Sequence, residues 1–298
     1  MGMGRLGSAL ALRLAEAGFP LVAVASRRVE GLAPLTRRLG CRLERDPAAV
    51  ARGADVLLLT VPDNALAELA ASLAARGAFR RGQCVLHCSG ALPAEVLEPA
   101  RGAGAAVGVL HPLQTFADMQ SAVEGLRGCW FAVQGDPAAR EVARTVCEAL
   151  GGHPFELPPG REAIYHAAAV VASNYLVALE AAALELLAVA GLSEEQGRSA
   201  LAPLLRTTVE NLVARGPVAA LTGPIARGDV ETVRRHLAAL RAEAPELLPL
   251  YGVMGERTAA LARRRGTVAA EKLEAVLSLL REAEGAGSPA KRARRPRK

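Results

Sequence analysis

Lysine is nearly missing from this chain. Only Lys272, Lys291 and Lys298 occur in 298 residues while arginine is abundant, a bias of genomic base composition rather than of function. Aromatic side chains make up 3% of the residues against 51% hydrophobic overall, so alanine, leucine and valine must build the cores. The five cysteines, Cys41, Cys84, Cys88, Cys129 and Cys147, are an odd number without a C-x-x-C pair, and most lie in apolar runs. That pattern argues against a disulfide framework and for reduced core thiols in a cytoplasm. No metal is expected. A charged-then-apolar leader does not open the chain. The longest apolar stretch, Ala163 to Leu192, carries His166, Asn174, Glu180 and Glu185 and so predicts a buried helix rather than a membrane span. The formal charge of +6 is supplied entirely by Lys291, Arg292, Arg294, Arg295, Arg297 and Lys298, which leaves the rest of the chain neutral. This tail has no aromatic residue and no recognition motif, so it excludes specific nucleic-acid reading and allows at most a nonspecific electrostatic role.

What is present starts at the first residues. Gly2, Met3, Gly4, Arg5, Leu6 and Gly7 form a G-x-G-x-x-G turn, followed by an alanine-rich helical run to Gly18. In such a turn the first glycine allows a tight strand-to-helix bend, the second lets backbone approach a pyrophosphate, and the third lets the helix pack close to the sheet. The helix N-terminus then faces the phosphates. The fingerprint requires a buried strand before its first glycine, and only Met1 precedes Gly2. The native chain is therefore expected to begin several apolar residues earlier, and the first strand to be truncated.

Phe19 to Ala25 predicts the second strand, ending in Ser26, Arg27 and Arg28. An NAD-selective site would place an acidic residue about there to bond the ribose 2′-hydroxyl, whereas arginine accommodates a 2′-phosphate, so NADP(H) is preferred over NAD(H). Ala54 to Asp63 reads as a fully buried parallel strand running into a loop in which Val61 and Pro62 line the cofactor, and Asp63 or Asn64 caps the next helix. Strands at Gln83 to His87 and Ala106 to Leu110 run into Ser89 and His111. Both side chains follow carboxyl strand ends, close to where a nicotinamide would lie, and histidine is well suited to exchange a proton near neutral pH. Gly128 to Val133 is a further strand, Pro137 to Leu150 an amphipathic helix, and Gly151 to Pro159 a hinge.

The predicted fold is thus an α/β Rossmann-like, doubly wound parallel sheet joined to an all-α domain. The expected domains are residues 1–155 for NADP binding, 160–284 for a helical substrate and dimerisation domain, and 285–298 for a disordered basic tail. The helical domain is expected to open with a single long helix from Glu162 to Ala190, with His166 and Asn174 on nearly one face, where they suit either a substrate cleft or a dimer core. Thr222 and Asp229 read as helix N-caps that flank Arg227, a ready clamp for a carboxylate or phosphate.

Taken together, the glycine turn, His87-Cys88-Ser89-Gly90, His111 to Phe116, Tyr165 to Ala168, Ser173-Asn174-Tyr175 and Leu221 to Asp229 resemble a bacterial family. Its members join a Rossmann-like NAD(P)-binding domain to a helical domain of unknown function, number 2520, within the 6-phosphogluconate dehydrogenase-like superfamily. The resemblance spans about residues 1–280 and implies a reductase or dehydrogenase architecture of unsettled substrate. Ser89 and His111-Pro112 sit where the more distant prephenate dehydrogenases have a serine and a histidine-proline pair beside the substrate. The helical domain is similar to those of pyrroline-5-carboxylate reductases and β-hydroxyacid dehydrogenases. The latter, like ketopantoate reductases, use a lysine where this chain has Val170, which argues against lysine-dependent ketone reduction.

The reading that follows is an NADP(H)-dependent oxidoreductase acting on a small, carboxylate-bearing carbonyl, imine or hydroxy compound. His111 serves as proton donor or acceptor, Ser89 and Asn174 orient the substrate, His166 is an alternative acid, and Thr222, Arg227 and Asp229 bind substrate. A homodimer through the helical domain is expected, with no membrane partner. The competing reading is a non-catalytic NADP(H)-binding sensor whose second domain only dimerises and signals.

Overall fold

The computed structural model describes residues 1–287, so the basic tail expected over 285–298 lies almost wholly outside the described residues. The chain divides into two compact units, the first Met1–Tyr175 and the second starting at Leu176.

In the first unit the strands are β1 (Ala23–Ala25), β2 (Arg42–Glu44), β3 (Val56–Leu59), β4 (Cys84–His87), β5 (Ala106–Pro112), β6 (Trp130–Gly135) and β7 (His153–Glu156). Its helices are α1 (Arg5–Glu16), α2 (Ala33–Leu39), α3 (Pro47–Gly53), α4 (Asp63–Ala75), α5 (Glu98–Gly102), α6 (Met119–Gly125), α7 (Pro137–Ala149) and α8 (Glu162–Ala172). β1 pairs with β2, and the larger sheet has the order β3-β4-β5-β6-β7. Successive side chains of β4 alternate between two cores, as strand geometry requires. Cys84 and Leu86 pack with Leu10, Phe131 and Val146 on one face, while Val85 packs with Val50, Leu66, Leu73 and Leu97 on the other. Helices therefore cover both faces, and each fully buried leucine contributes about 1.5–3 kcal/mol.

Met1 and Gly2 fill the position between β1 and β3. The Met1 amino group donates to Leu58 O (2.5 Å), Thr60 N donates to Met1 O (2.8 Å), and Gly2 N donates to Ala25 O (2.8 Å). The first strand is thus reduced to two residues, in keeping with the truncated strand read from the sequence. The structure corrects the reading of β3 as fully buried: Met1 reaches only as far as Leu58, and Val56, two residues earlier, is 39% exposed.

The expected Rossmann-like sheet is present and parallel-dominated, with one departure: β6 runs antiparallel to β5 while β7 runs parallel to β6. After leaving β5 at Pro112 the chain passes through α6 and enters β6 beside that same end, Phe131 pairing with Pro112, so β6 runs back along β5. The expected hinge at residues 151–159 is corrected, because it contains β7, paired through Trp130–His153 to Val133–Glu156. Pro154 hid it, since proline suits an edge strand but obscures the alternating pattern.

The second unit is helical: α9 (Asn174–Val189, its first two residues in the first unit), α10 (Glu194–Ala220), α11 (Pro224–Arg227), α12 (Val230–Glu243), α13 (Leu248–Arg265) and α14 (Ala270–Gly287). Val233, Leu237, Leu240, Ala259, Val276 and Leu280 form its core. The single long helix expected from Glu162 to Ala190 is two helices, broken at Ser173 (φ −117°, ψ −66°). Its expected burial is also corrected, because α9 has no buried residue and Val177 is 70% exposed. Apolar composition signals that a surface will be covered, but not whether the cover comes from the same chain. By length and hydropathy Glu162–Val189 would be able to cross a membrane.

Candidate active site

The glycine turn is held from below by Thr60. Its Oγ1 lies 2.6 Å from Gly2 O and 2.9 Å from Met1 O. Gly2 has φ +94°, and a Cβ there would lie 2.7 Å from the Thr60 carbonyl. A Cβ on Gly7 would lie 2.0 Å from Gly2 O, so only glycine lets α1 sit this close to the turn. Around Gly4, by contrast, nothing stands within 4 Å of a built Cβ. Gly4 is also the N-cap of α1 and provides no side-chain cap, so the first-turn N–H groups contributed by Arg5, Leu6 and Gly7 are available to an anion. Met3 O accepts from Ser8 Oγ (3.4 Å), which helps pin the turn. An open cradle over uncapped helix N–H groups fits a pyrophosphate. At the end of β1 the Ser26 hydroxyl accepts from Arg28 N (3.3 Å), while Arg27 and Arg28 are exposed and form no ion pair among the described residues. Two uncommitted guanidinium groups at this strand end fit a 2′-phosphate.

β3, β4 and β5 are parallel neighbours, so their carboxyl ends share one edge. Val61 and Pro62 follow β3, with Val61 packed on the core and Pro62 exposed. Asp63 does not cap α4, as the sequence suggested. The N-cap is Pro62, and Asp63 is the first helical residue. Its Oδ2 instead accepts from Ser89 Oγ at 2.7 Å. Ser89 Oγ in turn accepts from Ala91 N and Leu92 N, both at 3.2 Å. His87, wholly buried, completes this loop: Nδ1 accepts from Ser89 N (3.2 Å), so the ring proton sits on Nε2 and is donated to Pro93 O (3.1 Å). Burial lowers the His87 pKa and keeps it neutral.

His111 lies in β5 with its ring against Gly90, where a Cβ would come within 2.7 Å of the imidazole. Its Nδ1 is 2.8 Å from the Tyr165 hydroxyl on α8, and the His166 ring centroid is 6.2 Å from its own. Burial, and then the neighbouring His166, push the His111 pKa down to about 4, so the ring is neutral near pH 7. Burial also raises the Tyr165 pKa. The phenol is therefore the protonated member of the pair under neutral conditions.

Gln134 on β6 and Glu162 at the start of α8 border the same recess as Ser89, Gly90, His111 and Tyr165. Gln134 Nε2 donates to Glu162 Oε1 (2.5 Å), which also accepts from Gly160 N (3.1 Å). Burial acts to raise the Glu162 pKa, but the hydrogen bonds from Gln134 and from backbone N–H groups outweigh it and hold the carboxyl below its usual value.

The structure thus brings Ser89, His111 and His166 together. Asn174 is exposed at the start of α9 and makes no hydrogen bond among the described residues. In the second unit Asp229 caps α12 through Thr232 N (3.0 Å), as expected. Thr222 does not cap α11. Gly223 is its N-cap with φ +102°, a conformation that glycine alone adopts readily. Arg227 is exposed and unpaired among the described residues. Sequence reasoning missed Thr60, His87, Gln134 and Tyr165 as members of the site, and gave Asp63 and Glu162 no part in it. Tyr165 stood next to a residue already singled out, and a glutamate opening an apolar helix was a usable signal for Glu162. No group of metal-ligating side chains occurs among the described residues. The cysteines are free and all but Cys41 are buried, with burial raising Cys84, Cys88 and Cys147 to about 12.

Comparison with known proteins accords with this architecture. Residues 1–112 match the Rossmann-like domain family, and residues 129–258 match the domain of unknown function 2520. No functionally curated protein matches the sequence. Among solved structures, a candidate NADP oxidoreductase from Bacteroides fragilis is 26% identical with a TM-score of 0.66, covering 89% of this chain and 95% of its own. A protein from Thermotoga maritima is 22% identical with a TM-score of 0.70, covering 88% and 98%. A reductive aminase from Aspergillus terreus, solved in complex with NADPH4, cyclohexanone and allyl amine, is 19% identical with a TM-score of 0.55, covering 96% and 92%. The two consecutive domain matches, on a fold shared over nearly the whole length, place this chain in the family that joins a Rossmann-like domain to the domain of unknown function 2520.

Proposed function

We propose that this protein is an NADP(H)-dependent oxidoreductase acting on a small, carboxylate-bearing carbonyl, imine or hydroxy compound. The observation that carries this reading is the meeting of Ser89, His111 and Tyr165 at the carboxyl edge of β4 and β5, the edge that also bears the glycine turn. The similar NADP oxidoreductase and the reductive aminase support it.

Gly2 to Gly7 would hold the pyrophosphate, Ser26 to Arg28 the 2′-phosphate, and Val61 and Pro62 the ring side of the dinucleotide. When bound, the cofactor supplies or takes a hydride. The chain's own residues handle the proton. Neutral His111 and the Tyr165 phenol share one proton across 2.8 Å, so the pair can pass it to or take it from a substrate heteroatom. Asn174 orients the substrate and His166 is the alternative acid, while Ser89, expected from the sequence to bond the substrate, has its hydroxyl committed to Asp63 and two backbone N–H groups and so shapes the loop beside His111. Within the second unit Arg227 and Thr222 are the candidate anion ligands, with Asp229 holding the start of α12. Preorganised positioning then carries much of the rate. The apolar, unburied α9 is covered by a second copy in a cytoplasmic homodimer.

The test is calorimetry with NADPH and NADH, followed by a screen of small keto acids, imines and hydroxy acids with the bound cofactor. NADPH binding with turnover of one class is the expected result. Binding without turnover of any compound would favour the sensor instead, and no binding of either dinucleotide would overturn the reading.

A further inference from the structure

The recess lined by Ser89, Gly90, His111, Gln134, Glu162 and Tyr165 carries a chemical imbalance. Gln134 is 6% exposed, and its Oε1 is fully buried without a hydrogen-bond partner. The amide orientation is forced by its surroundings: Nε2 faces Glu162 Oε1 at 2.5 Å and Leu157 O at 3.4 Å, both acceptors, so the oxygen cannot take that place. A buried acceptor left unpaired costs about 1–3 kcal/mol. Glu162 is 7% exposed and forms no ion pair among the described residues. Its carboxylate is served only by neutral N–H donors, Gln134 Nε2 and Gly160 N on Oε1 and its own backbone N–H, and by no charged group among the described residues. The N-terminus of α8 offsets part of this charge. Neither arginine nor lysine lines the recess to offset the rest, and buried carboxylates are seldom left without a partner.

From this we infer that the recess recognises a positively charged nitrogen with N–H donors, that is, an ammonium or iminium group, through Gln134 Oε1 and the Glu162 carboxylate. The ligand supplies both missing elements, a donor for the spare oxygen and a counter-charge for the acid. A carboxylate would face Glu162 as a like charge, and an alcohol would serve the oxygen but not the charge. The inference rests on the oxidoreductase reading and narrows its substrates to those in which the reacting group is a C–N bond, any carboxylate being bound elsewhere.

The experiment is isothermal titration of the full chain with isopropylammonium chloride, isopropanol and sodium isobutyrate, each with and without NADPH, with NADPH binding measured separately in the same preparation. The expected result is that the ammonium ion binds at least tenfold more tightly than either isostere, and that Glu162→Gln weakens it at least tenfold while NADPH binding stays unchanged. Equal affinity for the three probes, preference for isobutyrate, or undiminished ammonium binding by folded Glu162→Gln would overturn the inference. The comparison of probes on the unaltered chain needs no variant, so it stands even if the substitution prevents folding. Loss of NADPH binding alone would count against the oxidoreductase reading and leave the ammonium site standing.

Discussion

The imidazole of His111 and the phenol of Tyr165 stand 2.8 Å apart although 54 residues separate them in sequence, one at the end of β5 and the other on α8. If this pair moves the substrate proton, His111→Ala should lower turnover by roughly 10²-fold or more. Tyr165→Phe, which keeps the ring but removes the hydroxyl, should lower kcat with little change in NADPH affinity. Steady-state kinetics on the substrate identified by the screen check both, and unchanged kcat in either variant removes that residue from the mechanism.

The depressed pKa of His111 has a consequence for stability. In the unfolded chain the ring titrates near 6.5 and in the folded chain near 4, so between these values the unfolded state binds more protons. The stabilisation is present above pH 6.5 and is lost as pH falls through that window, by on the order of 3 kcal/mol in all. Denaturant melts from pH 7 to pH 4 should show this loss, and His111→Phe should flatten it. A profile as steep in the variant would assign the loss to other groups, His87 first, because its pKa is also lowered by burial.

The three glycines of the turn should separate folding from binding. Gly7→Ala forces a Cβ to within 2.0 Å of Gly2 O and should lower the melting temperature sharply. Gly4→Ala meets nothing within 4 Å, so it should leave the melting temperature near that of the parent while weakening NADPH at least tenfold. Thermal melts and calorimetry on the two variants decide the matter, and tight NADPH binding by Gly4→Ala would mean that backbone does not approach the pyrophosphate there.

Arg27 and Arg28 have no acidic partner among the described residues and follow the strand end where the ribose is read. Replacing both with alanine should remove a charge-assisted contact to the 2′-phosphate worth about 1.5–3 kcal/mol, tenfold or more in Kd. NADH affinity should hardly change. Titration with both dinucleotides checks the asymmetry, and equal loss for the two would place the arginines outside the phosphate site.

The uncovered face of the second unit predicts its own partner. Val177 on α9 is 70% exposed and Val213 on α10 is 81% exposed, and apolar surface of this kind is normally buried on association. Light scattering should give twice the chain mass, and Val177→Asp with Val213→Asp should shift it to the monomer. A monomeric parent protein would refute the homodimer.

Local features of this molecule were legible before any coordinates. The glycine spacing, the arginines after β1, the polar residues near the carboxyl ends of β4 and β5 and the Asp229 cap each depend on a few neighbouring residues, and a short window of sequence carries that information, although β5 extends through His111 to Pro112 rather than stopping before it. The pairings that build the site were decided by tertiary structure alone. Asp63 meets Ser89 across 26 residues, Gln134 meets Glu162 across 28, and Tyr165 meets His111 across 54. Which strands lie side by side, and that β6 turns back against β5, depends on how elements distant in sequence close the two cores on the sheet. Sequence periodicity records which face of an element is apolar, but only the packed arrangement determines what that face meets.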